Sequence, residues 1–100
     1  MKKWLKKRAA DRKAQQAYWE AHKWCEVCLW ELRGKVPATE VHEIIFRAQG
    51  GKCEPDNEIS ICRRDHQRTH FLIDPWLYRD DLYRMKEQLD NLSIKDILGG

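Results

Sequence analysis

The stretch of sequence that decides the fold is EVHEIIFRAQGGKCEPDNEISICRRDHQRTH, residues 40–70. Residues 40–46 are predicted to form a strand in which His42 and Ile44 share one face. Residues 58–62 are predicted to form a second short strand, and the segment between the two strands has the glycine- and proline-containing composition of a loop. The sequence therefore predicts a hairpin with a long connecting loop.

A helix is predicted to follow the hairpin over residues 65–73, and to stop before Pro75. His66 and His70 are four positions apart, so both imidazoles lie on one face of that helix and can reach one cation. Such a pair alone is more often a coincidence or a surface pair. His42, on a strand that could pack beside the helix, favours a metal site with open positions, which hydrolytic catalysis needs.

Further helices are predicted on both sides of this core. Residues 2–22 have alanines at helical spacing, and residues 76–98 are predicted to form a C-terminal helical extension. Asp80 or Asp81 can cap the latter, and Ser93 can cap a last turn. The apolar stripe of this extension is interpreted as core, with a dimer contact as the alternative; it consists of Leu82, Met85, Leu89 and Leu92.

Four cysteines are present, and a disulfide framework is not expected for them. The N-terminus has no apolar region of signal-peptide length behind its basic residues, so a cytoplasmic protein with reduced thiols is expected. Cys25 and Cys28 form a C-x-x-C that can grip one tetrahedral ion from a turn. A redox motif would require a βαβ pattern, which is not visible. A buried apolar cysteine remains a credible interpretation for Cys53.

Length and charge limit the classes of protein to which the chain can belong. One hundred residues make one small domain, which often needs a metal or disulfide to support its core. No apolar run is longer than four residues, far short of the roughly 20 that a membrane span requires. Residues 1–13 hold seven Lys or Arg against one Asp, while residues 14–100 hold 12 bases and 15 acids. The basic arm is interpreted equally well as a phosphate-binding segment or as a solvated helix end.

The order of these pieces resembles the HNH endonucleases. The resemblance spans residues 24–70 and consists of Cys25-x-x-Cys28, Val41-His42-Glu43-Ile44-Ile45, Gly50-Gly51, Asp56-Asn57, Ile61-Cys62-x-x-Asp65-His66, and His70. The name-giving His, Asn and His match His42 or its neighbour, Asn57 and His66. The segment Trp24–Cys28 also resembles the way in which many phage and prophage members enter the motif.

The resemblance implies an α+β fold of the ββα-metal type, with a cysteine-rich zinc knuckle and flanking N- and C-terminal helices. It implies hydrolysis of DNA phosphodiesters around a divalent ion (Mg, Mn, Ni or Zn). Carried over, Asn57 holds the hairpin loop and orients the base, His66 binds the ion, and His70 matches a second metal ligand of the colicin nucleases. DNA is the implied partner, and a phage terminase is a further candidate. The chain is expected to act as a monomer or homodimer, to nick one strand per site, and to lie in the cytoplasm (of the host, if phage-encoded).

The pair His42-Glu43 departs from the Asp-His or His-His that is usual in the family. A gapless match makes His42 a metal ligand and Glu43 the general base. A carboxylate can act as a base, although its ordinary pKa of about 4.3 suits neutral pH poorly. The alternative, which we prefer, is that the alignment of the strand with the family's motif is shifted so that His42 is the base.

The fourth ligand of the structural zinc is also open, because Asp65 stands where zinc-bearing members have a cysteine beside Cys25, Cys28 and Cys62. Asp65 can ligate zinc, and it can equally be the N-cap of the helix that carries His66. Cys53 is another candidate if the loop folds back, and loss of zinc is the last possibility.

The candidate DNA-binding residues are basic and lie in the arm and in the hairpin loop; they are Lys2, Lys3, Lys6, Lys7, Arg8 and Arg47. A metal-dependent DNA endonuclease is the leading hypothesis. A non-catalytic zinc-ribbon DNA-binding module is the second, and it predicts DNA binding without cleavage. A protein-interaction module built on the C-terminal helix is the third, and it leaves the basic arm unexplained.

Overall fold

The computed structural model describes the backbone of residues 2–52 and 54–90, and the side chains of residues 10–46, 48–52 and 54–90. Several predictions of the sequence analysis lie outside these residues. They concern Cys53, the end of the C-terminal extension (residues 91–98), and the side chains of Lys2, Lys3, Lys6, Lys7, Arg8 and Arg47.

Four α-helices and a two-stranded sheet make up the described part of the chain. The helices are α1 (Lys2–Ala21), α2 (Glu26–Trp30), α3 (Arg63–Thr69) and α4 (Arg79–Asp90); the strands are β1 (Glu40–Glu43) and β2 (Glu58–Ile61). Two 3-10 turns, Arg47–Gln49 and Pro55–Asn57, lie between the strands. A hairpin accompanied by helices is a mixed α+β architecture, so the predicted fold class is confirmed.

The hairpin is antiparallel, with His42 opposite Ile59 and Glu43 opposite Glu58. Its first strand is shorter than predicted and ends at Glu43 rather than at residue 46. The Asn57 side chain explains this, since it accepts a hydrogen bond from the Ile45 backbone N–H (2.8 Å) and donates one to the Ile45 carbonyl (3.0 Å). The Asn57 side chain thus forms the hydrogen bonds to Ile45 that a backbone partner on β2 would form if the strand pairing continued.

The helix that follows the hairpin also differs from its predicted bounds of 65–73. It begins at Arg63, with Cys62 as its N-cap, so the interpretation of Asp65 as the cap was wrong. It ends at Thr69 because Phe71 adopts a left-handed φ of 59°, and the Leu72 N–H bonds back to the Gln67 carbonyl (3.0 Å). The chain therefore leaves the helix well before Pro75.

The core lies between the hairpin, α2 and α4. Its largest fully buried apolar side chains include Ile59, Ile61 and Leu82, and the Met85 side chain packs with them. The predicted apolar stripe of α4 thus faces the core at Leu82 and Met85, while Leu89 is half-buried. No helix within the described residues is long and apolar enough to cross a membrane.

The C-x-x-C lies on a short helix and not in a turn as predicted. Cys25 is the N-cap of α2, where its sulfur accepts a hydrogen bond from the Cys28 backbone N–H at 3.4 Å. The first turn of the helix therefore places both sulfurs on the same side, directed at the start of α3. Helix α1 lies against the hairpin, where the Trp19 indole donates to the Ala38 carbonyl at 2.9 Å.

Candidate active site and metal centres

Three imidazoles come together where β1 faces α3. His42 lies on β1, whereas His66 is on α3 and His70 is the residue directly after it. Each offers a ring nitrogen, and these nitrogens all lie within 4.8 Å of one another. The ring centroids are 5.2 Å apart for His42 and His66, and 4.7 Å apart for His66 and His70. Nitrogen ligands at this spacing fit one divalent cation bound at about 2.0–2.1 Å from each nitrogen.

The environment of His42 and His66 favours the neutral form that a metal ligand requires. His42 is 5% exposed, and this burial, with smaller effects of His66 and His70, lowers its pKa to about 4. Burial also lowers the pKa of His66, although the neighbouring Glu40 carboxylate opposes the change. The donor set and its protonation therefore fit a catalytic divalent ion.

A carboxylate that the sequence analysis did not single out orients one of these ligands. Glu40 lies on the same face of β1 as His42, two residues away, and its carboxylate pairs with Nδ1 of His66. The pairing leaves Nε2 of His66 directed at His70, whose Nε2 is 3.2 Å away. Such an outer partner fixes the tautomer and ring orientation of a ligating histidine.

Asn57 closes the hairpin loop at the edge of this site. Besides its two bonds to Ile45, its amide nitrogen donates to the Lys52 carbonyl at 2.9 Å. The Tyr83 hydroxyl from α4 donates to the Asn57 side-chain oxygen at 3.0 Å, a partner that the sequence analysis missed. Gly51 belongs to the same closure, because a Cβ there would lie 1.7 Å from the Ile45 carbonyl oxygen. These contacts correspond to the loop-holding role that the resemblance implies for Asn57.

Glu43, the other candidate for the general base, is the last residue of β1 and points to the opposite face from His42. Its carboxylate lies 3.5 Å from the Gln15 side-chain nitrogen of α1. The structure thus brings His42, but not Glu43, into the group of possible metal ligands.

A second candidate metal centre is formed by Cys25, Cys28, Cys62 and Asp65, all of which are buried. The Asp65 Oδ2 atom lies 3.1, 3.3 and 3.1 Å from the sulfurs of Cys25, Cys28 and Cys62. Three sulfurs and one carboxylate oxygen around a common centre are a suitable donor set for tetrahedral zinc. The fourth corner is occupied by the aspartate that stands in the position of the family's cysteine.

Without a metal, the burial of this cluster disfavours the deprotonated form of its cysteines. Burial raises the pKa of Cys25 well above its ordinary range and that of Cys28 to about 12. Burial also disfavours the charged form of Asp65, but hydrogen bonds from Arg33 and other donors outweigh it and hold the pKa of that carboxyl well below its usual range. A zinc ion would supply the positive charge that thiolates need in this buried position.

Two arginines surround the outer oxygen of Asp65. The Arg33 and Arg68 guanidinium groups both lie 2.8 Å from Oδ1, and Arg68, which is 3% exposed, also bonds Glu31 at 2.9 Å. A zinc ion with three thiolates and a carboxylate would carry a net charge of minus two, and the two guanidinium groups, which also pair with the Glu31 carboxylate, would offset part of it. The two arginines therefore hold Asp65 in its charged form, in which it could serve as a metal ligand.

The comparisons with known proteins agree with this geometry. The chain has no match among curated proteins or among solved structures. A family match covers residues 25–72, which include both cysteine–aspartate and histidine clusters and the Asn57 closure. These residues match the family model of the HNH endonucleases.

Proposed function

We propose that this protein is a divalent-metal-dependent DNA endonuclease. The observation that carries the proposal is the convergence of His42, His66 and His70, with ring nitrogens within 4.8 Å of one another, inside an HNH domain. Three neutral imidazoles leave other coordination positions of a bound ion open for water and a phosphate oxygen. This is the arrangement that phosphodiester hydrolysis needs, because negative charge develops on the phosphate in the transition state.

The bound ion would supply charge compensation for the phosphate and the leaving oxygen. His66 on α3 and His70 directly after it would hold the ion, and the Glu40 carboxylate orients the His66 ring for binding. Asn57 keeps the hairpin loop closed, so that the strand carrying His42 stays in register beside α3.

The same geometry supports His42 as a ligand of the ion. A neutral imidazole has one lone pair, and a histidine that binds a metal through it cannot also accept a proton there. We therefore assign the general base to Glu43, in agreement with the gapless match to the family, in place of the initial preference for His42. Glu43 directly follows His42 in β1, and its carboxylate must leave the Gln15 contact to act.

The cysteine–aspartate cluster would hold a structural zinc, which gives this small domain support that its hydrophobic core alone supplies only marginally.

DNA is the proposed substrate. One catalytic centre per chain attacks one strand at a time, so we propose that a monomer nicks a supercoiled plasmid before it converts the plasmid to the linear form. The phage-like entry motif Trp24–Cys28 supports a role in phage DNA processing beside a terminase.

The test is cleavage of supercoiled plasmid with Mg²⁺, Mn²⁺, Ni²⁺ or EDTA by the wild-type chain and by His66→Ala. We expect nicked plasmid to appear before linear plasmid, only with a divalent ion, and no product with His66→Ala. His22→Gln is the matched control, since His22 stacks on Tyr18 with a ring separation of 4.1 Å and lies outside the cluster. Cleavage in EDTA, or by His66→Ala at the wild-type rate, would overturn the proposal and favour a DNA-binding module.

A further inference from the structure

A cluster of exposed aromatic side chains follows α3 and has no role in the site described above. Phe71, Trp76 and Tyr78, here called the aromatic cluster, are 47%, 49% and 55% exposed. The Phe71 ring lies 5.2 Å from the Trp76 ring and 5.3 Å from the Tyr78 ring. Three neighbouring aromatic rings in contact with solvent are typical of a binding surface.

The backbone at Phe71 adopts a conformation that is unfavourable for a bulky residue, and this conformation places the ring at the surface. A φ of 59° is a left-handed conformation that a bulky residue rarely adopts and that glycine adopts without strain. The loop around it is fixed by Arg68, whose guanidinium donates to the Pro75 carbonyl at 2.7 Å and whose own carbonyl accepts from the Leu77 N–H at 3.1 Å. Strain of this kind is concentrated at functional sites.

The aromatic cluster borders a cavity of about 260 Å³ that adjoins the histidine site. Its lining includes Phe71 and Tyr78, two of the three rings of the aromatic cluster, together with Leu82, His42 and Phe46. His42 is thus a wall of the cavity and also a member of the proposed ion-binding group. Ligand pockets typically have volumes of about 300–1,000 Å³, so this cavity has room for one planar ring system and not for a base pair.

The mouth of the cavity carries a cation suited to a nucleic acid strand. Arg79 lines the cavity, and its guanidinium hydrogen-bonds the side-chain oxygen of Gln49 in the hairpin loop. On the far side, the Phe46 ring stacks on His70 with centroids 5.8 Å apart and nearly parallel planes. Aromatic walls between an arginine and a phosphate-binding centre are the features with which proteins hold single-stranded nucleic acid.

We propose that this cavity binds one unstacked nucleobase of the DNA strand whose phosphate lies at the histidine site. The proposal rests on the proposed nuclease function and adds the substrate class to it. A base inside a duplex must be unstacked and unpaired before it can enter, at a cost of a few kcal/mol that is smallest for unpaired DNA. The preferred substrates are therefore single-stranded, mismatched or frayed DNA.

Two variants remove the walls of the cavity while preserving the fold. Phe71→Gly removes the ring and relieves the left-handed backbone, and Tyr78→Ala removes an exposed ring while keeping the backbone bonds at the start of α4. Leu72→Ala is the matched control, because Leu72 is exposed, adjacent to Phe71 and absent from the cavity wall. All four proteins are compared on a paired duplex, a duplex with one mismatch, and the single strand.

We expect the wild-type kcat/KM to be higher for mismatched and single-stranded DNA than for the duplex. Each ring variant should reduce that preference about tenfold, the equivalent of ~1.4 kcal/mol, and Leu72→Ala should retain it. The second measurement is the fluorescence of 2-aminopurine in a single strand, bound without added divalent ion so that no cleavage is needed. Its emission should change on binding the wild-type chain and not on binding the ring variants.

The two measurements separate this proposal from the nuclease assignment. An equal loss of duplex and single-strand cleavage in the ring variants, or a 2-aminopurine signal that they leave unchanged, overturns the base site and leaves the nuclease standing. A 2-aminopurine signal that only the ring variants lose, with no cleavage by any protein, supports the base site and refutes the nuclease.

Discussion

Replacement of Asp65 by asparagine tests the cysteine–aspartate centre with almost no change in shape. Asp65 is fully buried, and its two oxygens are contacted by three sulfurs and two guanidinium groups. The substitution removes the carboxylate charge and leaves Glu31, which is partly exposed, as the carboxylate partner of Arg33 and Arg68. Arg68 suffers most, because it is 3% exposed and water cannot replace the lost partner.

The size of the effect follows from these contacts. Removal of one member of a buried ion pair costs about 3–5 kcal/mol, out of a total stability of roughly 5–15 kcal/mol for a domain. In a domain of about 100 residues each kcal/mol moves the Tm by about 4–8 °C, so Asp65→Asn should lower the Tm by roughly 12–40 °C. Asp80→Asn is the control, since Asp80 is exposed on the first turn of α4, and it should cost less than about 1 kcal/mol.

Measurements with and without zinc distinguish the two roles of Asp65, as a zinc ligand and as the ion-pair partner of the arginines. Urea unfolding and zinc content are measured for the wild type and Asp65→Asn, each with zinc and with a chelator. If Asp65 is a ligand, zinc should raise the stability of the wild type more than that of the variant, and the variant should lose its bound ion. Equal zinc stabilisation of both proteins would show that Asp65 serves the arginines alone. Loss of zinc in Cys53→Ala but not in Asp65→Asn would make Cys53 the fourth ligand.

Three further outcomes are expected. Deletion of residues 1–13 should weaken DNA binding and reduce the log–log salt slope by roughly 0.9 for each lost phosphate contact, and an unchanged slope would assign the arm to solubility. Burial, followed by the Glu26 carboxylate, raises the pKa of Tyr18 above its usual 10.0, so the free energy of unfolding should fall as the pH rises past about 10. Tyr18→Phe, which loses a 2.8 Å hydrogen bond to Glu26, should cost about 1.5–3 kcal/mol and flatten that alkaline decline; an unchanged urea midpoint would contradict this. Glu43→Gln should reduce the cleavage rate by about two to four powers of ten with metal affinity retained, while His42→Ala should lose the ion, and the reverse pattern would make His42 the base.

The hairpin, three of the four helices (α1, α3 and α4) and the grouping of His42, His66 and His70 could be predicted because each has a local or periodic signature. Alternation places His42 on a strand face, and a spacing of four places His66 and His70 together. The ends of the elements could not be predicted in this way. The Asn57 side chain ends β1 from twelve residues away, and no propensity scale contains such a contact.

The charged residues that the sequence analysis missed have partners that lie far along the chain. Arg68 sits in a run of basic and polar residues that is typical of a solvated helix, yet it is buried and bonded to Glu31, 37 positions away. Glu40 carried a weak local signal, since it is two residues before His42 and therefore on the same strand face. Whether a charge is solvated or paired in the interior depends on tertiary contacts, and a single sequence does not encode these locally.

The start of α3 joins the two metal centres. Cys62 is both a member of the cysteine–aspartate cluster and the N-cap of α3, and Asp65 and His66, adjacent in the helix, belong to different clusters. Consecutive helical residues point about 100° apart, so the helix can face the zinc centre with one residue and the catalytic centre with the next. A structural ion that fixes Cys62 and Asp65 therefore also fixes the rotation of α3, and with it the direction of His66 and His70. In a chain whose hairpin has only four residues per strand, this is a physical reason for the proposed zinc centre beside the proposed catalytic one.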